Sequence, residues 1–200
     1  MAEIFVDTKQ LKSVAMELAE FPKKVPKEVL VPALNDSLKR VNTVVKRGVS
    51  GRYVIPQKEV EKSIKRKHAS ASNPSASIVL RGKPKGLINF KLKPAKMQSQ
   101  AGKKLKARKS LEVKIKKEGG YKQIGIKPAA FVAVANGTPN VFHRKGKKSL
   151  PIERLVTISV PQMLSAKAVI NPVQKRTEEI LKERINHHLH RKLKVKGGKK

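Results

Sequence analysis

The chain has 200 residues, with 47 Lys and Arg against 14 Asp and Glu, a formal charge of +33 and no cysteine. The lack of cysteine excludes a disulfide framework and any thiolate zinc site, and 4% aromatics without tryptophan exclude an aromatic stacking platform for single strands. So large a positive excess repels itself in a free monomer and draws the chain toward polyanions, so nucleic acid, an acidic protein surface or both are the expected partners.

A hydrophobic fraction of 38% fits a modest core within one α+β domain over residues 1–194, with solvated or partner-covered pieces beside it. Met1-Ala2-Glu3-Ile4 carries no basic region followed by an apolar run, and no stretch approaches the ~20 apolar residues of a membrane span. A membrane is therefore not among the expected partners.

In chain order, Asp7 or Thr8 caps an expected helix with Leu11, Val14, Ala15, Leu18 and Phe21 on one face, and Pro22 closes it. A longer helix is expected over 26–50, so that helices fill 8–50. Its stripe is Leu30, Ala33, Leu34, Leu38, Val41, Val45 and Val49, with Lys39, Arg40, Lys46 and Arg47 opposite. Pro56 opens a short helix with Val60 and Ile64 inward.

Between Lys62 and Leu111 there is no acidic residue, while Lys and Arg number fifteen. Within this segment, 76–80 and 87–92 read as strands, the second with Ile88, Phe90 and Leu92 on one face and Leu87, Asn89 and Lys91 on the other. Residues 95–110 show no hydrophobic period and read as a flexible basic loop. Leu111, Val113 and Ile115 alternate with charged residues as an amphipathic strand, and Gly119-Gly120 turns the chain.

From 131 to 164 apolar alternation, a turn and a basic tip follow one another. Phe131 to Ala135 is a strand, Gly137-Thr138-Pro139-Asn140 the expected turn, and Val141 to Arg144 the return strand of a hairpin. Leu150-Pro151-Ile152 after the tip reads as a connector or sheet edge, because proline removes a backbone donor. The last helix is expected over 171–194, with Asn171-Pro172 at its start and Val173, Thr177, Ile180, Leu181, Ile185, Leu189 and Leu193 on one face. Residues 195–200 form a disordered basic tail. The fold class expected is α+β: N-terminal helices, a mainly antiparallel sheet over 75–160 with a hairpin, and a long C-terminal helix.

Catalytic signatures are missing. Neither standard Gly-rich phosphate loop nor a Gly-x-Ser-x-Gly elbow occurs. His187 and His190 share a helix face, but a third ligand is lacking there and Arg184 and Arg191 disfavour a cation. No enzyme, metal or cofactor is expected. The basic residues Lys91, Lys93, Lys96, Lys103, Lys104, Lys106, Arg108 and Lys109, with Arg144, Lys145, Lys147 and Lys148 of the tip, are the candidates for contact with DNA phosphates or an acidic partner. Apolar residues beside the two prolines, Phe142, Leu150, Pro151, Ile152, Leu155, Pro161, Met163 and Leu164, are the candidates for a subunit interface.

Several of these segments carry a resemblance. Ala33-Leu34-Asn35, Gln57-Lys58-Glu59-Val60, Lys67-His68-Ala69-Ser70 and Leu87-Ile88-Asn89-Phe90-Lys91 follow the order and spacing of one phage family. So do Val141-Phe142-His143-Arg144-Lys145-Gly146, Leu150-Pro151-Ile152-Glu153-Arg154-Leu155 and Ser159-Val160-Pro161-Gln162-Met163-Leu164. Over most of residues 30–190 the chain resembles the prophage minor tail protein Z family, the tail completion proteins of lambda-like phages. It departs from that pattern at Thr157-Ile158-Ser159, where Gly-Pro-Ser is expected.

The resemblance implies a non-enzymatic virion protein made in the host cytoplasm and placed at the head-proximal end of the tail, in head–tail joining. Its implied partners are the tail terminator, tube and connector, and its implied form is a homo-oligomeric ring, a hexamer, with nonspecific contact to genomic DNA. Six copies would carry about 200 formal charges, which calls for an acidic tail partner, DNA in the channel, or both. The alternative from a different class is a sequence-nonspecific DNA-binding or packaging protein.

Overall fold

The computed structural model describes residues 2–6, 24–94, 110–135, 137–146 and 148–197. The expected helix over 8–22, loop residues 95–109 and tail residues 198–200 lie outside them.

Two long helices dominate. Helix α1 spans Lys24–Arg52 and helix α4 spans Lys167–Gly197. They run antiparallel: Glu28 pairs with Lys192, Asp36 with Arg184, and Gly48 lies against Val173. The heptad-like spacing of Ala33, Leu34, Leu38, Val41, Val45 and Val49 puts all six in the core, where each is fully buried. From α4, Val169, Val173, Ile180, Leu181 and Ile185 meet them. Each such side chain contributes about 1.5–3 kcal/mol on burial, against about 0–1 kcal/mol for an exposed ion pair. Packing of the two stripes is therefore what holds the pair.

Two polar residues sit inside this interface with their hydrogen bonds satisfied. Ser37 Oγ donates to Ala33 O at 2.7 Å and Thr177 Oγ1 to Val173 O at 2.7 Å, the back-bonding to the preceding turn open to a buried hydroxyl. Helix α4 starts four residues before the expected Asn171-Pro172 cap, and Pro172 lies inside it. Pro172 is the sixth residue of the helix, past the four N–H groups that lack helical partners, so it withholds a donor from the Ala168 carbonyl. At the other end, residues 195–197 continue the helix instead of forming a tail.

The strands form three antiparallel sheets of three strands each, where a single sheet is expected from the sequence. In the first, β1 (Ala2–Val6) and β2 (Ile64–Lys67) flank β3 (Ala76–Leu80), all of whose residues are buried. In the second, β5 (Glu112–Lys114) lies between β4 (Lys91–Lys93) and β6 (Lys122–Gln123). In the third, β8 (Thr138–Arg144) lies between β7 (Phe131–Ala135) and β9 (Ile152–Arg154).

Two local expectations change. Residues 87–89 form a 3₁₀ turn, with Leu87 and Phe90 buried three apart, so the strand begins only at Lys91. Ala135 pairs with Thr138, so the hairpin turn is confined between them and Thr138, Pro139 and Asn140 belong to the return strand. Gly137 has φ +71°, the left-handed backbone that a two-residue hairpin turn requires. Pro139 fits there because β9 covers only Phe142, His143 and Arg144 of β8, which leaves the start of that strand an open edge.

Short helices complete the chain. Gln57–Glu61 forms α2, with Val60 buried. Val160–Ser165 forms α3, where the sequence suggests only a proline interruption. Ser159 caps α3: Gln162 N–H donates to its Oγ at 3.4 Å, and Ser159 N–H donates to Gln162 Oε1 at 2.8 Å. This reciprocal box satisfies two otherwise orphaned donors.

The class is α+β, with long helices backing small hairpin sheets. Backbone bonds stitch the sheets together. Leu155 N–H donates to Val141 O at 2.8 Å, Leu87 N–H to Leu155 O at 3.1 Å and Thr157 N–H to Lys85 O at 2.8 Å. Val54 N–H donates to Ile115 O at 2.8 Å, which ties the end of α1 to the exit of β5.

Candidate functional site

The hairpin tip is built from aromatic rings outward. Phe131 stands opposite Phe142, with ring centroids 6.3 Å apart. The Arg144 guanidinium lies 5.0 Å from the Phe131 centroid, and its Nε–H donates to Ser149 O at 3.3 Å. Lys145 N–H donates to Pro151 O at 3.2 Å, which closes the loop between β8 and β9. Glu153, opposite His143 in the register, lies 3.4 Å from Lys145 Nζ and 3.5 Å from His143 Nε2.

Arg144 and Lys145 thus have structural partners within the tip. Lys148 is exposed, and Lys147 lies outside the described residues. Beside them Leu150 is 68% exposed, more than any other large apolar residue described, and Pro151 is exposed with it.

The remaining apolar candidates are placed differently. Pro161, Met163 and Leu164 are buried in the core, the last two completely, and Phe142 is buried on the hairpin. Ile152 is half-buried and Leu155 packs against the core. None of the four buried side chains is open to a neighbour, so Leu150 and Pro151 are the exposed members of that strip. Val134 and Val156 are also exposed, and no sequence signal separates them from core valines.

The second basic surface is the β4–β5 ribbon. Lys91 and Lys93 are exposed on β4, and Lys93 Nζ lies 4.4 Å from the Tyr121 centroid. Lys96, Lys103, Lys104, Lys106, Arg108 and Lys109 fall outside the described residues, in the chain between β4 and β5. Lys114 and Lys117, which the sequence does not single out, line a cleft with Lys91.

Elsewhere two of the few carboxylates, Glu59 and Glu61, are engaged by lysines. Hydrogen bonds from Lys62 and Lys85 hold the Glu59 carboxyl below its usual range against the opposing push of burial. Glu61 is lowered likewise, chiefly by a hydrogen bond from Lys46, with Asn42 and Arg66 adding to it. On α4, burial and the neighbouring His187 push His188 below the ordinary histidine range, although Asp36 lies 3.9 Å from its Nε2. Among the described residues no group of three His, Cys, Asp or Glu could hold a metal ion.

Several segments singled out from the sequence meet in space. Asn35 Nδ2–H donates to Ala69 O at 3.0 Å and its Oδ1 accepts from Ala69 N–H at 2.9 Å, so its amide replaces a strand partner for the chain after β2. Gly86 lies under Arg154, whose Nη2 would be 2.6 Å from any added Cβ. The tip joins 141–146 to 150–155 through Glu153. These are positioning contacts, and the surface they leave outside offers charge and apolar area.

No curated protein and no solved structure matches the chain. The model of one family, prophage minor tail protein Z, matches residues 8–196, a range that takes in almost every element above. The chain belongs to the prophage minor tail protein Z family and is a structural protein of the phage tail.

Proposed function

We propose that the protein completes the tail at its head-proximal end, as a ring subunit that joins tail to head. Membership of the tail protein family over residues 8–196 carries this assignment. The family is one of structural proteins, not enzymes, and the exposed surface fits that role. Residues 1–194 act as one unit. Its exposed Leu150 and Pro151 contact the next subunit or a neighbouring tail protein, and the ring is a hexamer stacked on the tail tube.

The charge of +33 favours a lumen or face that meets genomic DNA, with acidic tail proteins covering the rest. The same charge supports a second assignment, sequence-nonspecific DNA packaging. Electron microscopy of particles lacking the protein separates the two. Tail completion predicts tails that are missing, overlong or uninfectious on normally filled heads, whereas packaging predicts underfilled heads. Normal, infectious particles would sink the proposal.

A further inference from the structure

Between the C-terminal end of α1 and the β4–β5 ribbon lies a cleft of about 700 Å³. Lys91, Lys114 and Lys117 line it together with Tyr53, Tyr121 and Asn89, and among the described residues no carboxylate does. In the antiparallel register Lys91 stands directly opposite Lys114. Like charges so placed destabilise a strand pair, with Cβ atoms only about 5 Å apart. The next pair on the same face of the ribbon, beyond Leu92 opposite Val113, is Lys93 opposite Glu112, the complementary arrangement that stability favours.

Several of the described carboxylates are engaged elsewhere. Glu59 and Glu61 engage Lys62, Lys85, Lys46 and Arg66, Asp36 engages Arg184, and Glu28 engages Lys192. Among the described residues no such ion pair reaches the three cleft lysines. A concave wall also excludes part of the water that would screen them, which strengthens their field at the mouth.

We infer that this cleft is a binding site for the phosphates of a nucleic-acid backbone, with Lys91 and Lys114 converging on one phosphate and Lys117 beside them. The inference rests on the DNA-facing part of the proposed function and gives it a location. Lysine engages phosphate as a point charge, without the planar fork that arginine offers a carboxylate, and among the described residues no arginine lines the cleft. The cleft is too small to admit a duplex. It holds the backbone of one strand lying across its mouth, so binding there reads no sequence.

The test uses the full-length protein and a fluorescein-labelled duplex of about 20 base pairs, with anisotropy followed as salt is raised. Three proteins are compared: wild type, a cleft variant (K91Q, K114Q and K117Q together), and a charge-matched variant (K167Q, K175Q and K182Q) on the exposed face of α4. Circular dichroism confirms that all three are folded. The slope of log affinity against log salt should be shallower by about 2 in the cleft variant, at about 0.9 for each of two phosphates no longer neutralised, and by less than about 1 in the control.

Equal changes in the two variants would overturn the site while leaving a DNA-facing role intact. A wild type that does not bind the duplex would remove both. Poly-L-glutamate is the last arm. If it discriminates wild type from the cleft variant as strongly as DNA does, the site takes acidic protein and the assignment to phosphate is overturned.

Discussion

Replacing Gly48 tests the packing of the two long helices most directly. A Cβ at this position would lie 2.7 Å from Val173 Cγ2 and 3.6 Å from Val169 Cγ1, where ordinary contact begins near 3.4 Å. Val173 is buried, and a β-branched side chain in a helix has essentially one rotamer, so it cannot swing aside. The helices themselves must part by several tenths of an ångström. Overpacking of this kind costs about 1–3 kcal/mol, while alanine in place of glycine returns about 1 kcal/mol of helix propensity. Gly48→Ala should therefore be neutral to destabilising by about 2 kcal/mol, and Gly48→Val should lose about 3 kcal/mol. At about 2–4 °C per kcal/mol for a chain of this size, the valine variant should melt about 6–12 °C lower. Thermal and urea unfolding followed by circular dichroism read both quantities. Adding Val173→Ala to Gly48→Ala should recover part of the loss, with a coupling of about 1 kcal/mol. If Gly48→Ala instead raised the melting temperature by about 2–4 °C, as propensity alone dictates, the close helix approach would be refuted.

Asn35→Ala removes both bonds to Ala69 and should cost about 1–3 kcal/mol in urea unfolding, while Asn35→Asp, which keeps the acceptor for Ala69 N–H, should lose less; equal losses would show that the amide does not clamp that chain. His188 has its folded pKa depressed by burial, so the unfolded chain takes up the proton first, and stability should fall as pH drops below about 6.5. His188→Gln should flatten the fall in melting temperature between neutral and mildly acid pH, and an unchanged slope would assign the effect elsewhere. At the hairpin tip, Lys148→Glu should leave the melting temperature unaltered, whereas Arg144→Glu loses its place over Phe131 and should cost about 0.5–1 kcal/mol. Leu150→Ser should leave stability within about 0.5 kcal/mol yet lower phage yield in complementation, and full yield would remove Leu150 from the proposed contact.

What can be seen in the sequence follows from which forces act locally. The helical stripes of 26–50 and 173–189 and the alternation at 112–114 record burial on one face, and a period survives whatever partner covers it. Strand β1 is not visible because its partner β3 lies some seventy positions away, and nothing in five residues announces such a pairing. Leu87 and Phe90 fit a strand or a 3₁₀ turn equally well over so short a run. Pro172 looks like a helix start because proline belongs in the first turn, yet it is the sixth residue of α4, which hides the true start at Lys167.

The candidate site divides along similar lines. Charge runs are exposed almost by necessity, so Lys91, Lys93 and Lys148 lie outside as expected. Apolar residues near prolines serve a core or an interface with the same composition. Met163 and Leu164 point inward and Leu150 outward, a distinction that only the folded chain makes. The facing of Lys91 and Lys114 is a matter of register, which depends on how two distant segments align.

The antiparallel pairing of α1 with α4 bears on the order of synthesis. Helix α1 leaves the ribosome well before α4, which supplies the surface that packs on Leu34, Leu38, Val41 and Val45. Until α4 emerges, that stripe stays open to water or to chaperones, and a chain broken off before Lys167 never covers it. Such a fragment should expose more apolar surface to dyes and be degraded faster than the full chain.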